Sequence, residues 1–268
     1  MDDAKRATLK HNFDRAGSTY LHHNELQRQV AARLLECCRA HYVGRRRPWP
    51  VLLDMGCGPG VNTVALSAIC DHYLGLDISQ GMLREARKQI SRGAALQWLQ
   101  ADMDNLAVAT ESVDVVFSSL ATQWSANRTS LMAQLLRVLK PGGRVFIATL
   151  VDGTLEPMRS LRQHVDGTPQ GNPQPTIASW LEIINSLEGL ALLELELSTF
   201  TVFEQDLLQL LKSIRGVGAG TWVGNEQVKT PLSPAKFRAV ATAYERFRTT
   251  TGLPLRYEVA FLTLIKKQ

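Results

Sequence analysis

Long apolar runs are missing from this sequence. No uninterrupted stretch approaches the ~20 residues that span a bilayer, and the longest candidate, Leu187 to Phe203, is broken by Glu188, Glu194 and Glu196. The amino terminus, MDDAKRATLKHNFDRAGSTY, is charged and has no apolar centre of the signal-peptide kind, so a cytoplasmic protein is expected. Cysteine is scarce. Cys37, Cys38, Cys57 and Cys70 show neither C-x-x-C spacing nor the even framework of a small secreted domain, and read as free thiols. The six histidines form no H-E-x-x-H cluster. His22 and His23 are adjacent, so on a helix they point about 100° apart and chelate poorly; no metal is expected. Internal repeats and low-complexity segments are also lacking. Charge is only mildly one-sided, +5 with a pI of about 9.1. That excess suits an acidic partner, nucleic acid or protein, through long-range steering.

What is present is a chain of 268 residues, 45% hydrophobic and 21% charged, ample for one domain with a substantial core. Two helices are expected first, Asp3 to Asp14 and Leu26 to His41, within a leading segment 1–47. From residue 48 to 151 short apolar runs alternate with helical patterns, the mark of βαβ units and a parallel sheet. The expected strands are Trp49 to Gly56, His72 to Ser79, Leu96 to Asp102, Val113 to Ala121 and Arg144 to Leu150. Val61 to Ala68 and the stretch GMLREARKQI read as helices, and Leu131 to Leu139 as the end of a helix stopped by Lys140 to Gly143, with the glycines as cap. Residues 152–175 hold Pro157, Pro169, Pro173 and Pro175 and read as an inserted cap with a mobile loop. A helix (Ile177 to Leu187), a strand (Leu190 to Thr199) and a helix (Phe203 to Ser213) follow. Arg215 to Asn225 is a glycine-rich loop, Ser233 opens a helix with Pro234 in its first turn, and Tyr257 to Lys267 is the last strand. The fold class is α/β: one domain with a doubly wound, seven-stranded, mostly parallel sheet, and cap elements over 152–189 and 203–250.

The chemistry is concentrated in LLDMGCGPGVNTVALS, Leu52 to Ser67. A glycine turn between a first parallel strand and its helix lets a nucleotide approach the backbone, and the helix amino terminus offers free N–H groups. A phosphate loop would need Lys then Ser or Thr after the last glycine, but Val61 and Asn62 follow Gly60. A dinucleotide fingerprint needs a glycine where Val61 stands. DMGCGPG does match every fixed position of the D-x-G-x-G-x-G loop of S-adenosylmethionine-dependent methyltransferases. Asp77, 23 residues beyond Asp54, ends strand two, where a carboxylate can accept both ribose hydroxyls. Ser79 is better placed than Asp77 to cap the next helix. By resemblance to these enzymes, Asp102 accepts the adenine amino group with Met103 beside it, and LKPGGRVFI is a structural hallmark. The cofactor-binding set is then Asp54, Gly56, Gly58, Gly60, Asp77, Ile78, Met82, Asp102, Met103 and Ser119, with S-adenosyl-L-methionine as cosubstrate and the Rossmann-like class I methyltransferase fold.

The stretch after strand four, SSLATQWSAN, lacks the Asn-Pro-Pro-Tyr of enzymes that methylate amino nitrogens, and holds neither an acid–base pair nor a cysteine nucleophile. An acceptor that is already nucleophilic needs neither, and a carboxylate is one. The whole chain resembles the malonyl-[acyl-carrier protein] O-methyltransferase family. The likeness rests on FDRAGSTYLHHNELQRQ, LDMGCGPG, SSLATQW, LKSIRGVGA and PLRYEVAFLTLIKK. Cys37–Cys38, GRRRP (Gly44 to Pro48) and Gly220 to Trp222 depart from it. The resemblance implies methylation of the free carboxylate of a malonyl thioester carried by an acyl carrier protein, with neither nucleic acid nor membrane as partner. Candidate catalytic residues are Tyr20, closing over the sulfonium; Gln123 and Trp124, walling the transfer pocket; and Arg215, pairing with the malonyl carboxylate. Arg159, Arg162, Lys212 and Arg215 are candidates for docking the acidic carrier. Arg45, Arg46 and Arg47 precede strand one, at the wrong end of the sheet. The competing expectations are a methyltransferase of the same fold acting on a small free acid or another small metabolite, a catalytically silent binding module and a nucleic-acid methyltransferase.

Overall fold

The computed structural model describes residues 3–16, 20, 24–43, 47–88, 94–167, 174–216 and 233–268. Two helices lead, α1 (Asp3–Ala16) and α2 (Glu25–Tyr42). Next come β1 (Trp49–Met55), α3 (Thr63–Ser67), β2 (Cys70–Asp77), α4 (Gln80–Ala86), β3 (Ala95–Gln100) and β4 (Val113–Ser119). A single 3-10 turn, Thr122–Trp124, leads to α5 (Arg128–Val138) and β5 (Leu139–Leu150). The remainder is α6 (Met158–Asp166), α7 (Ile177–Asn185), β6 (Leu190–Glu204), α8 (Leu207–Gly216), α9 (Pro234–Tyr244) and β7 (Leu253–Lys266).

The seven strands stand in the order β3-β2-β1-β4-β5-β7-β6. The first five run parallel, and β7 lies antiparallel between β5 and β6. This is the doubly wound, mostly parallel sheet that the βαβ rhythm predicts. Strand order reverses between β1 and β4, so a crevice opens beyond their carboxyl ends. Side chains alternate across the sheet: Leu52, Phe146 and Ala148 join the apolar layer under α2, α6, α8 and α9, whereas Leu53, Met55, Val145 and Ile147 join the layer under α5 and α7. Covering both faces explains why the strands read as unbroken apolar runs.

Several boundaries differ from the sequence expectation. The first helix after β1 is shorter, Thr63–Ser67, because the glycine turn continues through Asn62. The glycines after α5 are not its cap; Leu139 leaves the helix in an extended conformation (φ −70°, ψ 138°) and already pairs with Val113. Pro141 disfavours helical geometry at Lys140, the residue before it, so the helix cannot continue through Lys140 toward the glycines. β6 runs on to Glu204, drawn out by its ladder with β7 (Glu204 opposite Leu253), so the next helix begins at Leu207 instead of Phe203. For the same reason β7 starts at Leu253 rather than Tyr257. The glycine-rich stretch beyond Gly216, together with Arg45 and Arg46, lies outside the described residues. Among those residues no helix is long and apolar enough to cross a membrane.

Candidate active site

Gly56, Gly58 and Gly60 all take left-handed backbone angles, φ 74°, 54° and 80°, which cost an L side chain roughly 1–2 kcal/mol. Gly56 is constrained twice over, because a Cβ there would stand 2.3 Å from the Cβ of Ala121. The loop is tied to β2. The N–H groups of Gly56 and Cys57 donate to the Leu76 carbonyl at 2.7 and 3.0 Å, and the Gly58 N–H donates to Asp77 Oδ2 at 3.0 Å. Asp77 Oδ1 accepts from the Ser79 N–H at 2.8 Å, so one carboxylate orients both the glycine loop and the start of α4. Ser79 itself caps α4, accepting from the Met82 N–H at 3.0 Å.

Burial pushes the Asp77 carboxyl up to about 6; the Ser79 and Gly58 amides pull it down and the neighbouring Asp14 charge adds to the rise. Asp54, at the end of β1, accepts from the Tyr73 hydroxyl at 2.7 Å, which accepts in turn from Thr63 at 3.1 Å. Burial pushes Asp54 up to about 7, the Tyr73 hydrogen bond opposing and the Asp77 charge reinforcing. Neither carboxylate has a cationic partner among the described residues. Burial thus favours the protonated forms of both, and a cation bound close by would favour the ionised ones.

β4 ends at the half-buried Ser119, and Leu120 then takes φ 50°, a backbone state that is strained for a residue with a side chain. The bend carries the chain over the glycine loop, where Ala121 packs on Gly56. Gln123 Nε2 donates back to the Leu120 carbonyl at 2.7 Å, and Gln123 Oε1 is left buried with no hydrogen-bond partner. Trp124 meets Phe13 of α1 edge-on, ring centroids 5.5 Å apart.

That contact is one of those by which α1 spans the carboxyl edge of the sheet. At its end, Asp14 Oδ1 accepts from the Ser79 hydroxyl at 2.8 Å and the Gly81 N–H at 2.9 Å. Gly81 leaves room for this and nothing more, since a Cβ there would be 2.5 Å from the Asp14 carbonyl oxygen. Near its start, Arg6 pairs with Asp102 at 2.7 Å and reaches Asp104 at 3.7 Å. Tyr20 follows α1 at the same mouth; burial first, and the Asp77 charge second, push its hydroxyl well above the usual range.

Of the residues singled out from the sequence, Asp54, Gly56, Gly58, Gly60, Asp77, Tyr20, Gln123 and Trp124 come together around this mouth. Ile78 lies between Asp77 and Ser79, its carbonyl accepting from Gln100 at 3.1 Å, and Met103 reaches within 4.0 Å of the Gly56 Cβ position. Met82 is buried in the packing of α4 and contributes its backbone to the cap. Asp102 carries an ion pair with Arg6 that sequence reasoning did not foresee. Arg215 falls in the last turn of α8, and its side chain lies outside the described residues. Arg6, Asp14, Tyr73 and Asp104 were missed; each acts across a long separation in the chain, where only the capping logic of Ser79 left a local trace.

The residues present fit an adenosyl sulfonium: a glycine cradle at left-handed angles, a carboxylate at the end of β2, and buried negative charge for a cation. The chain matches the family described as "Methyltransferase domain" over residues 53–147. It is 38% identical over 264 residues to the biotin biosynthesis bifunctional protein BioHC of Cellvibrio japonicus, spanning 98% of this chain but only 50% of that relative. It is 32% identical over 263 residues to the malonyl-[acyl-carrier protein] O-methyltransferase of Pectobacterium atrosepticum, covering 97% of this chain and 96% of the other. Among solved structures, the YcgJ protein of Bacillus subtilis shares the fold with a TM-score of 0.61 at 14% identity, over 88% of this chain and 99% of that one. With 32% and 31% identity over nearly the whole of both chains to such relatives, the chain is an S-adenosylmethionine-dependent methyltransferase and belongs to the malonyl-[acyl-carrier protein] O-methyltransferase family.

Proposed function

We propose that this enzyme methylates the free carboxylate of a malonyl thioester on an acyl carrier protein, giving the methyl ester used in biotin synthesis. The observation that carries this reading is the make-up of the turn beyond β4. Ser119 to Asn127 contains no ionisable side chain, and its buried polar atoms without a partner are the neutral Thr122 Oγ1 and Gln123 Oε1. A group that reacts beside such a turn must bring its own nucleophile, as a carboxylate does. The relatives named malonyl-[acyl-carrier protein] O-methyltransferase point the same way.

When bound, S-adenosylmethionine supplies an electrophilic methyl group on a sulfonium. Asp77 is assigned to the ribose hydroxyls, the glycine loop to the close backbone contact, and Asp102 and Met103 to the adenine end. Gln123 and Trp124 wall the acceptor slot and exclude water from it, so that alignment rather than proton transfer sets the rate. With its hydroxyl pushed up, Tyr20 stays protonated at working pH and acts as a hydrogen-bond donor, not a base. Arg215 is assigned to the malonyl carboxylate. In this reading α6, α8 and α9 form the substrate-side cap, with Arg159, Arg162, Lys212 and Arg215 facing the carrier.

The test is methyl transfer to malonyl-carrier protein followed by mass spectrometry, with malonyl-CoA and free dicarboxylic acids in parallel. An ester on the carrier-bound malonyl group, lost in Arg215→Ala, is the expected result. Methylation of free acids alone, or of none of the three, overturns the proposal.

A further inference from the structure

Asp104 sits four residues past the end of β3, outside every motif in the sequence, with its side chain only 10% exposed. Its two oxygens are both engaged with the turn beyond β4. Oδ1 accepts from the Ser125 hydroxyl and Oδ2 from the Ala126 N–H at 2.8 Å; Ser125 Oγ in turn accepts from the Asn127 N–H at 3.2 Å. Asp104 is also held from below, its own N–H donating to Asp102 Oδ1 at 2.9 Å, and from above by Arg6 of α1 at 3.7 Å. Three parts of the mouth therefore meet at one carboxylate, the loop after β3, the turn beyond β4 and α1, and the start of α5 is joined to it through Ser125. The turn needs such a brace. It leaves β4 through a strained Leu120; its first half is secured by the Leu120 N–H on the Ala148 carbonyl, by Ala121 against Gly56, by Gln123 on Leu120 and by Trp124 on Phe13, and Asp104 holds its second half at Ser125 and Ala126.

We infer that Asp104 is a positioning residue for methyl transfer, clasping the Trp124 turn to the loop after β3 so that the acceptor wall and the adenine end keep a fixed spacing. The inference rests on the reading that this turn walls the acceptor slot. Charge-assisted hydrogen bonds of this kind are the stronger class, and a shift of about 1 Å in a positioning group costs on the order of a hundredfold in rate. Asparagine keeps the clasp: its oxygen can face the Ala126 N–H while its amide donates to the Ser125 hydroxyl. Alanine removes it.

The experiment is carried out on the full chain with Asp104→Ala, Asp104→Asn and Ser125→Ala. Asp104→Ala should lower kcat at saturating cofactor by tenfold or more, with cofactor Kd within about threefold of wild type, and Asp104→Asn should recover kcat to within about threefold. Ser125→Ala should fall between them. In parallel, 5-fluorotryptophan labelling with Trp124→Phe for assignment should show the Trp124 fluorine resonance shifted or broadened in Asp104→Ala and restored in Asp104→Asn. A kcat within twofold of wild type in Asp104→Ala overturns the inference, as does a kcat loss matched by equal losses of cofactor affinity and melting temperature that asparagine fails to repair. If wild type itself transfers no methyl group to malonyl-carrier protein, the functional reading fails. The fluorine spectra then decide the clasp alone, and an unmoved Trp124 resonance ends it.

Discussion

Asp77 receives N–H groups from Gly58 at 3.0 Å and Ser79 at 2.8 Å while buried, so the side chain is fixed before any ligand arrives. Hydrogen bonds to an ionised group are worth roughly 1.5–3 kcal/mol each. Asp77→Ala should therefore weaken S-adenosylmethionine binding at least tenfold by calorimetry; an unchanged Kd contradicts its assignment. The same burial makes cofactor binding depend on pH. With Asp77 raised to about 6 and Asp54 to about 7, the folded protein holds extra protons above the ordinary carboxylate range. These two groups thus favour the fold at low pH, and their contribution is lost as pH rises toward 7. A cationic ligand acts in the opposite sense, because it needs the ionised forms. Its affinity should fall as pH drops through 7 and then 6, by up to about tenfold per pH unit for each carboxylate that must ionise, and a flat titration between pH 5.5 and 8 would count against the cation site. At Gly56, alanine must take φ 74° and overlap Ala121; Gly56→Ala should lower stability by about 2 kcal/mol or more and abolish cofactor binding, read by thermal melting with and without cofactor. Asp54, Asp77 and the glycines were legible because strand ends and left-handed turns leave local marks. The Tyr73 support beneath Asp54 was not, since a tyrosine in an apolar strand reads as core until its hydroxyl is seen to reach a neighbouring strand.

At the scale of elements, α1 is the least predictable piece. It is a polar helix that buries Leu9, and an isolated helix of its length is marginal in water. Its place depends on Arg6, Phe13 and Asp14, with Arg6 half-buried in its pair with Asp102. Gly81→Val should push the Asp14 carbonyl away and undock α1. Hydrogen exchange should then show α1 amides approaching those of a free helix while β1, β4 and β5 keep their protection, with weaker cofactor binding as the consequence. Equal protection of α1 in both proteins would mean that Gly81 is not the docking notch. The start of α9 was legible from capping chemistry, and Ser233 indeed caps the Lys236 N–H, whereas the glycine cap expected for α5 failed because those glycines lie within β5. The ends of β6 and β7 were not legible, because their mutual ladder, rather than local propensity, sets how far each extends.

For the whole molecule, the reversal of strand order between β1 and β4 puts the glycine loop, the turn beyond β4 and α1 on one edge, and leaves Arg47 at the opposite edge, ahead of β1. Arg159 on α6 stands within 4.0 Å of Asp152, beyond the carboxyl end of β5. If basic side chains on that edge receive an acidic carrier, KM for the carrier-bound substrate should rise several-fold between 0.05 and 0.5 M salt, about the range over which screening of exposed charges becomes severe, while kcat stays level. A KM indifferent to salt removes electrostatic docking from the account. The order of amino acids alone determined the sheet class, the glycine cradle and the two strand-end carboxylates, since each follows from periodicity or from the backbone freedom of particular residues close together in the chain; the family came from the resemblance of motifs spread along it. Only the tertiary structure decided that α1 lies across the mouth, that Arg6 engages Asp102, and that Asp104 braces the Trp124 turn. Ion pairs and hydrogen bonds between distant segments depend on where the folded elements meet, and that meeting leaves no periodic mark in the sequence.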